Sequence, residues 1–173
     1  MIRVFVVIWL SGVALGICVS GIWSVAAGEE AHLQVSITAV SDGDSLRAGP
    51  LKLRLHGLDA PEKKQVCSTA SGQSYACGQK ATDWLKSQVA PGQRLSCILV
   101  DTDRYRRLIV QCFKNGEDIN QALVRTGWAV AYTRYSQAYV QAEQQAKAAG
   151  VGLWQGPFMR PEAWRRQQRE SKK

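Results

Sequence analysis

The 173 residues carry 22 Lys and Arg against 14 Asp and Glu, a formal charge of +8, with only 2 His. That length suits one domain with a proper core. The scarcity of histidine removes the material for a Ser-His-Asp triad or a His-rich metal centre, and no Gly-rich phosphate loop or G-x-S-x-G elbow occurs.

Arg3 is the only charge before an apolar run from Val4 to Ala27. Val25-Ala26-Ala27 offers small residues to a signal peptidase, and the run is also long enough to span a bilayer uncleaved. Residues 1–28 are therefore expected to be a signal peptide or membrane anchor. With Arg3 on the inner side, the rest of the chain is expected to be exported, periplasmic or secreted. Ile17 before Cys18 speaks against a lipoprotein signal. In an oxidising compartment Cys67, Cys77, Cys97 and Cys112 are expected to form two disulfides. Zinc is the rival reading, but no pair has the close spacing of a structural zinc site.

In the mature chain, Leu33 to Val40 alternates as a strand with one buried face. Ser41-Asp42-Gly43-Asp44 turns into a second strand at Ser45 to Arg47. Gly49-Pro50 then leads to Leu51, Leu53 and Leu55, with Lys52, Arg54 and His56 on the opposite face. A Ser, Gly and Lys-rich loop runs from about 60 to 77. A helix is expected from Gly78 to Val89, with Ala81, Trp84, Leu85 and Val89 on one stripe. Leu95 to Asp101 and Arg107 to Phe113 read as a hairpin. If Cys97 faces Cys112, its turn centres on Arg104-Tyr105, and Cys97, Leu99, Val110 and Leu108 share a core face. That register favours Cys97–Cys112 and leaves Cys67–Cys77 to staple the long loop. Ile119, Ala122 and Leu123 mark a short helix that Gly127 can end, and a third helix is expected at about Ser136 to Ala149. Residues 159–173 read as a basic tail, with six basic and two acidic residues from Arg160 to Lys173. The sum is an α+β domain over 29–158 built on a small barrel.

The chemistry left to such a chain is carboxylate and arginine. Asp44 and Asp59 can offer hard oxygens to a cation while leaving places for water and substrate. Glu62 can act on a water molecule. Arg54 and Arg107 can grip phosphate oxygens and offset charge that develops in an in-line displacement. His32 and His56 read as structural. The set matches what metal-assisted phosphodiester hydrolysis needs, without histidine.

In that order, S-D-G-D-S-L, R-L-H-G-L-D-A-P-E and T-D-R-Y-R-R-L resemble the staphylococcal nuclease (thermonuclease) family. The likeness continues through I-N-Q-A-L-V-R-T-G-W-A and A-K-A-A-G-V-G-L-W, covering nearly all of 33–154. It implies an OB-fold, a five-stranded β-barrel with three α-helices, that cleaves DNA and RNA with Ca2+. By motif, Asp44, Asp59 and the backbone carbonyl of Ala60 would hold the calcium, with Asp42 behind them. Glu62 would be the general base, and Arg54 and Arg107 the phosphate clamps. Arg104 and Tyr105 match residues that hold a nucleotide's terminal phosphate, and Tyr132 and Tyr135 match tyrosines beside the nucleotide. Exported relatives carry cysteine pairs similar to the two expected here. The expected partner is single-stranded or denatured nucleic acid. No protein partner is implied, the expected form is a monomer, and membrane contact is expected only if the N-terminal segment is retained.

Three residues depart from the family pattern: Ser45 and Ala60 stand for threonines, and Arg106 for glycine. The first two are mild, since the ligand at 60 is a backbone oxygen. Arg106 strains the turn if the position needs φ > 0, and it could compete with Arg107 for phosphate. Two other classes are weighed against the enzyme. One is a non-catalytic OB-fold nucleic-acid-binding module, which would have lost the acids or arginines. The other is an envelope scaffold that binds anionic polymers through its basic tail, which would bind without hydrolysis.

Overall fold

Alternating runs cut by Asp-Gly, Gly-Pro and Asn-Gly turns produce the strands. A computed structural model describes residues 32–172; the expected signal or anchor, with Cys18, lies outside them. Strands β1 (His32–Ser36), β2 (Ala39–Asp42), β3 (Ser45–Ala48) and β4 (Leu51–Leu55) are followed by the two-residue β5 (Leu58–Asp59). The clip β6 (Cys67–Ser68) and β7 (Ser74–Tyr75) precedes α1 (Cys77–Gln88). Next come β8 (Arg94–Thr102), β9 (Leu108–Lys114) and β10 (Glu117–Asp118), then α2 (Ile119–Arg125) and β11 (Val130–Ala131). The helices α3 (Val140–Ala149) and α4 (Pro161–Glu170) complete the order.

The main sheet runs β1-β8-β9-β4-β3-β2 with β10 added to β9, and only the β4–β9 pair is parallel. Its two outer members are one bent segment, because only Ile37 and Thr38 separate β1 from β2. The Ile37 amide donates to the Gln93 carbonyl (2.9 Å) and the Thr38 amide to the Arg47 carbonyl (2.7 Å). The sheet thus closes into a five-stranded barrel, which removes its edges. Ile37, Leu46, Leu53, Leu55 and Val110 fill it and meet Leu85 of α1 and Leu123 of α2. Each such side chain contributes about 1.5–3 kcal/mol by leaving water. This is the α+β OB-fold architecture expected from sequence.

Both expected disulfides are present, Cys97–Cys112 and Cys67–Cys77. Cys97 and Cys112 face each other in the β8–β9 ladder and lie in the main core. Cys67 and Cys77 join Val130 and Leu153 in a second small cluster under the long loop. Closing loops of this size is worth about 3 kcal/mol each in the chain-entropy account.

Three local expectations change. Leu99 is 46% exposed rather than a core residue. A bulge between Leu99 and Asp101 shifts the register by one, re-aiming side chains near the hairpin tip. Leu51, at the open end of β4, is exposed as well. The third helix begins at Val140 instead of Ser136; the Ser136 hydroxyl accepts the Ala138 amide (3.2 Å), a turn bond that competes with helix.

The segment that reads as a basic tail folds into α4. Pro161 occupies its first turn with Glu162, and Arg169 lies in its last, an order that suits the helix dipole. Its approach is fastened. Arg160 Nη2 donates to the Ala131 carbonyl (3.1 Å) and to Glu143 (3.2 Å). Gln65 Nε2 donates to the Met159 carbonyl (2.6 Å). Among the described residues no helix is long and apolar enough to cross a membrane.

Candidate active site

The β3–β4 register pairs Ser45 with Arg54, which brings the Arg54 guanidinium beside Asp44 at the head of β3. Arg54 Nη1 donates to Asp44 Oδ1 (2.8 Å) and Nη2 to Asp59 Oδ1 (3.0 Å). Asp44 Oδ1 also accepts from the Ser45 hydroxyl (3.1 Å), and Oδ2 from the Ala60 amide (3.1 Å). Asp42 Oδ1 accepts the Asp44 amide (3.1 Å). Asp44 and Asp59 are both buried. Gly43 between the two acids is more than a turn former. A Cβ there would lie 2.8 Å from the Ala60 Cβ and 3.0 Å from the Ala81 Cβ, so the glycine lets helix α1 and Ala60 pack onto the acidic turn.

Glu62 follows the buried Pro61 and is seated from below. Its amide donates to Gln65 Oε1 (3.3 Å), and its carbonyl accepts the Gln65 amide (2.7 Å). Gly78 in the first turn of α1 lies against the Glu62 carbonyl, where any Cβ would collide. The sequence-predicted set of Asp42, Asp44, Arg54, Asp59, Ala60 and Glu62 is therefore brought together at one end of the barrel.

Burial, and then the charge of Asp44, push the Asp42 carboxyl up to about 6. Burial also raises Asp59, against the opposing pull of Arg165 and Arg54. The charge of Asp44 does most to hold the Arg54 guanidinium above its ordinary value. Four carboxylates, Asp42, Asp44, Asp59 and Glu62, face two guanidiniums, Arg54 and Arg165. Two formal negative charges remain, and every side-chain donor is a hard oxygen. That donor chemistry fits a calcium-sized cation better than zinc. Among the described residues no ready-made cluster of three or more His, Cys, Asp or Glu is arranged around one point. A cation held here would rest on the two buried carboxylates, Asp44 and Asp59.

Above this floor lies a groove of about 680 Å³, lined among others by Arg54, Glu62, Arg104, Tyr105, Arg107, Tyr132 and Tyr135. All four residues expected to touch a nucleotide thus meet in one cavity. Its size falls within the range of small-ligand sites. The hairpin tip is tied by Asp103. Arg107 donates to it through its amide (3.0 Å) and Nε (2.7 Å). Burial works to raise the Asp103 carboxyl, but these bonds, the Tyr105 amide and the Arg107 charge together hold it below the usual range. Arg104 Nη2 donates to the Tyr105 hydroxyl (2.9 Å), and its guanidinium lies 4.9 Å from the Tyr105 ring centroid. Arg106 adopts φ 59°, the left-handed conformation that makes glycine usual there. Its exposed side chain is not among the groove's lining, so Arg107 keeps the place facing the cavity. Across the groove, Tyr132 and Tyr135 stand edge to face with ring centroids 4.9 Å apart.

Sequence reasoning missed the groove's third wall. Arg165 and Arg169 of α4 line it, as does His56, which reads from sequence as structural only. Arg165 Nη1 and Nη2 donate to Asp59 Oδ1 and Oδ2, both at 2.8 Å, and Nη1 also reaches Glu62 Oε1 (3.0 Å). Burial disfavours the Arg165 charge, but the bonds and charges of Asp59 and then Glu62 outweigh it and raise its pKa. The one available signal was the four-residue spacing of Arg165 and Arg169, which places both on one helix face. A separation of 106 residues from Asp59 hides the contact from local pattern.

A family model described as "Staphylococcal nuclease homologue" matches residues 52–156, a span that includes Arg54, Asp59, Glu62 and Arg107. The chain is similar to the succinoglycan biosynthesis protein ExoI of Rhizobium meliloti, 34% identical over 67% of this chain and 62% of that protein. It is 34% identical to an uncharacterized endonuclease of Haemophilus influenzae, over 77% of this chain and 73% of the relative. A probable staphylococcal-like nuclease CAN1 of rice is 32% identical over 73% of this chain and 36% of its own length. The chain spans less than two thirds of the rhizobial and rice proteins but most of the Haemophilus one. By the extent of the family match and by these identities, the chain belongs to the staphylococcal nuclease homologue family.

Proposed function

We propose that this chain is an exported, calcium-dependent nuclease that hydrolyses phosphodiester bonds of DNA and RNA with little sequence preference. The observation that carries the reading is the meeting of Asp44, Arg54, Asp59 and Glu62, of which Arg54 and Glu62 line a groove that Arg107 lines as well. Nuclease names among the relatives and the two disulfides support it.

Asp44, Asp59 and the Ala60 carbonyl would hold calcium, which when bound supplies a Lewis acid against a phosphate oxygen and offsets the charge of the acids. Glu62 takes a proton from a water molecule, whose oxygen attacks phosphorus in line as the bond to the leaving sugar oxygen breaks. Arg54 spends two of its five N–H donors on Asp44 and Asp59 and keeps three for phosphate oxygens. Arg107 offers the donors that Asp103 leaves free, and both charges favour the more negative transition state. Tyr105, Tyr132 and Tyr135 line the groove, and aromatic rings there would stack on any base, which supports a low sequence preference.

The test is direct. The oxidised chain is expected to degrade denatured DNA and RNA with calcium and to stop when calcium is chelated. Absence of cleavage across a wide range of calcium concentration and alkaline pH would sink the reading.

A further inference from the structure

α4 lies beyond the family match at residues 52–156, yet its guanidinium is the closest cation to Asp59 and Glu62. Arg165 forks onto both oxygens of Asp59 and bridges to Glu62, so one side chain covers the expected cation ligand and the expected base together. With Arg54 also on Asp59 Oδ1, three N–H bonds fill most of the acceptor capacity of that carboxylate. The fork is not a chance surface pairing. Asp59 is buried, Arg165 is itself largely covered, and α4 is held by Arg160 on Ala131 and Glu143 and by Gln65 on Met159. Arg166, the next residue, is exposed and takes no part.

We propose that Arg165 is the built-in counter-ion of this centre: α4 holds its guanidinium over Asp59 and Glu62 in the metal-free chain, and a calcium ion entering the site has to displace it. The inference rests on reading Asp59 as a calcium ligand. The physics is competition between two cations for one carboxylate. A calcium ion on Asp59 needs an oxygen that the fork now occupies, and at a few ångströms a guanidinium repels it. Release of Glu62 in the same step frees the base only when the cation is in place, so the helix keeps the centre closed until it is loaded.

The test titrates the full chain with calcium chloride alone by calorimetry and follows amide hydrogen exchange across 161–170. Arg165→Ala is expected to bind calcium about tenfold more tightly than the natural chain, the scale of one nearby charge. Arg165→Lys keeps the charge without the fork and falls between the two. Arg166→Ala removes the same charge from the same helix and leaves the affinity unchanged. In the natural chain, calcium speeds exchange across 161–170, a readout that needs no variant to fold. Calcium binding by Arg165→Ala alone also supports the proposal. Equal or weaker binding by Arg165→Ala, no change in exchange, or no calcium uptake by either chain overturns it. Nuclease activity of the natural chain is read separately. DNA digestion with calcium alongside an indifferent Arg165→Ala titration breaks this inference and leaves the nuclease reading standing.

Discussion

The floor of the groove and the hairpin tip at its rim use the same two residue types in opposite ways. On the floor, Arg54 of β4 is locked between Asp44, at the head of the paired β3, and Asp59 of β5, and both acids are buried. At the tip, Arg107 is tied to Asp103 four residues away, both partly exposed, on a turn that carries the left-handed Arg106. The floor is held by tertiary structure and the tip by its own sequence. A guanidinium in the first setting is tied to stability as well as to the proposed chemistry, and one in the second to the proposed chemistry almost alone.

The sharpest way to break that comparison is to truncate both arginines. Arg54→Ala is expected to abolish activity and to cost about 3 kcal/mol of stability, because it leaves the buried Asp44 without a counter-charge and Asp59 with Arg165 alone. Arg107→Ala is expected to lose activity comparably while costing under about 1 kcal/mol, as for a partly exposed pair. Denaturant melts beside kinetics on both variants would show the split, and equal stability losses would erase it.

A second expected effect concerns pH in the metal-free chain. The Asp42 carboxyl is raised to about 6, so the folded chain binds its proton more tightly than the unfolded chain does. The stability this provides is full below pH ~4 and is lost as pH rises through about 6, a change on the order of 3 kcal/mol. Melts between pH 4 and 8 should show stability falling over that window, and Asp42→Asn should flatten the fall. Next comes Glu62→Gln, which should lower turnover by about 10² with stability nearly unchanged. An unaltered rate would show that the water loses its proton elsewhere. The smallest effect belongs to the tip: Arg106→Gly relieves a left-handed side chain and should stabilise by about 1 kcal/mol. A loss of stability would mean that the tip gains from the Arg106 side chain more than its backbone costs.

What could be read from the sequence divides along the same line. Alternation in Leu53, Arg54 and Leu55 marks the strand and its faces, and the order of acids and arginines names the residues that meet on the floor. The Cys97–Cys112 register held because two strands joined by a short turn leave little freedom. Leu99 faces Val110 in the expected register yet is exposed just before the bulge, and alternation alone does not show where a strand runs past its core. The helix at 161–170 went unread because its ten residues include five charged ones, and charge alone suits a solvated tail as well as a helix face. Its contact with Asp59 depends on how the chain returns across the barrel, which no local pattern encodes.

Gln65 is fully buried, and its side chain bonds the Glu62 amide on one side and the Met159 carbonyl on the other. Arg160, the next residue on, bonds the Ala131 carbonyl, and Ala131 belongs to the strand that pairs with Asp59 and Leu58. The two halves of the Arg165 contact therefore hang from shared pegs. A distance between residues a hundred positions apart in sequence is in this way set like a gauge, from one reference point rather than along the whole chain.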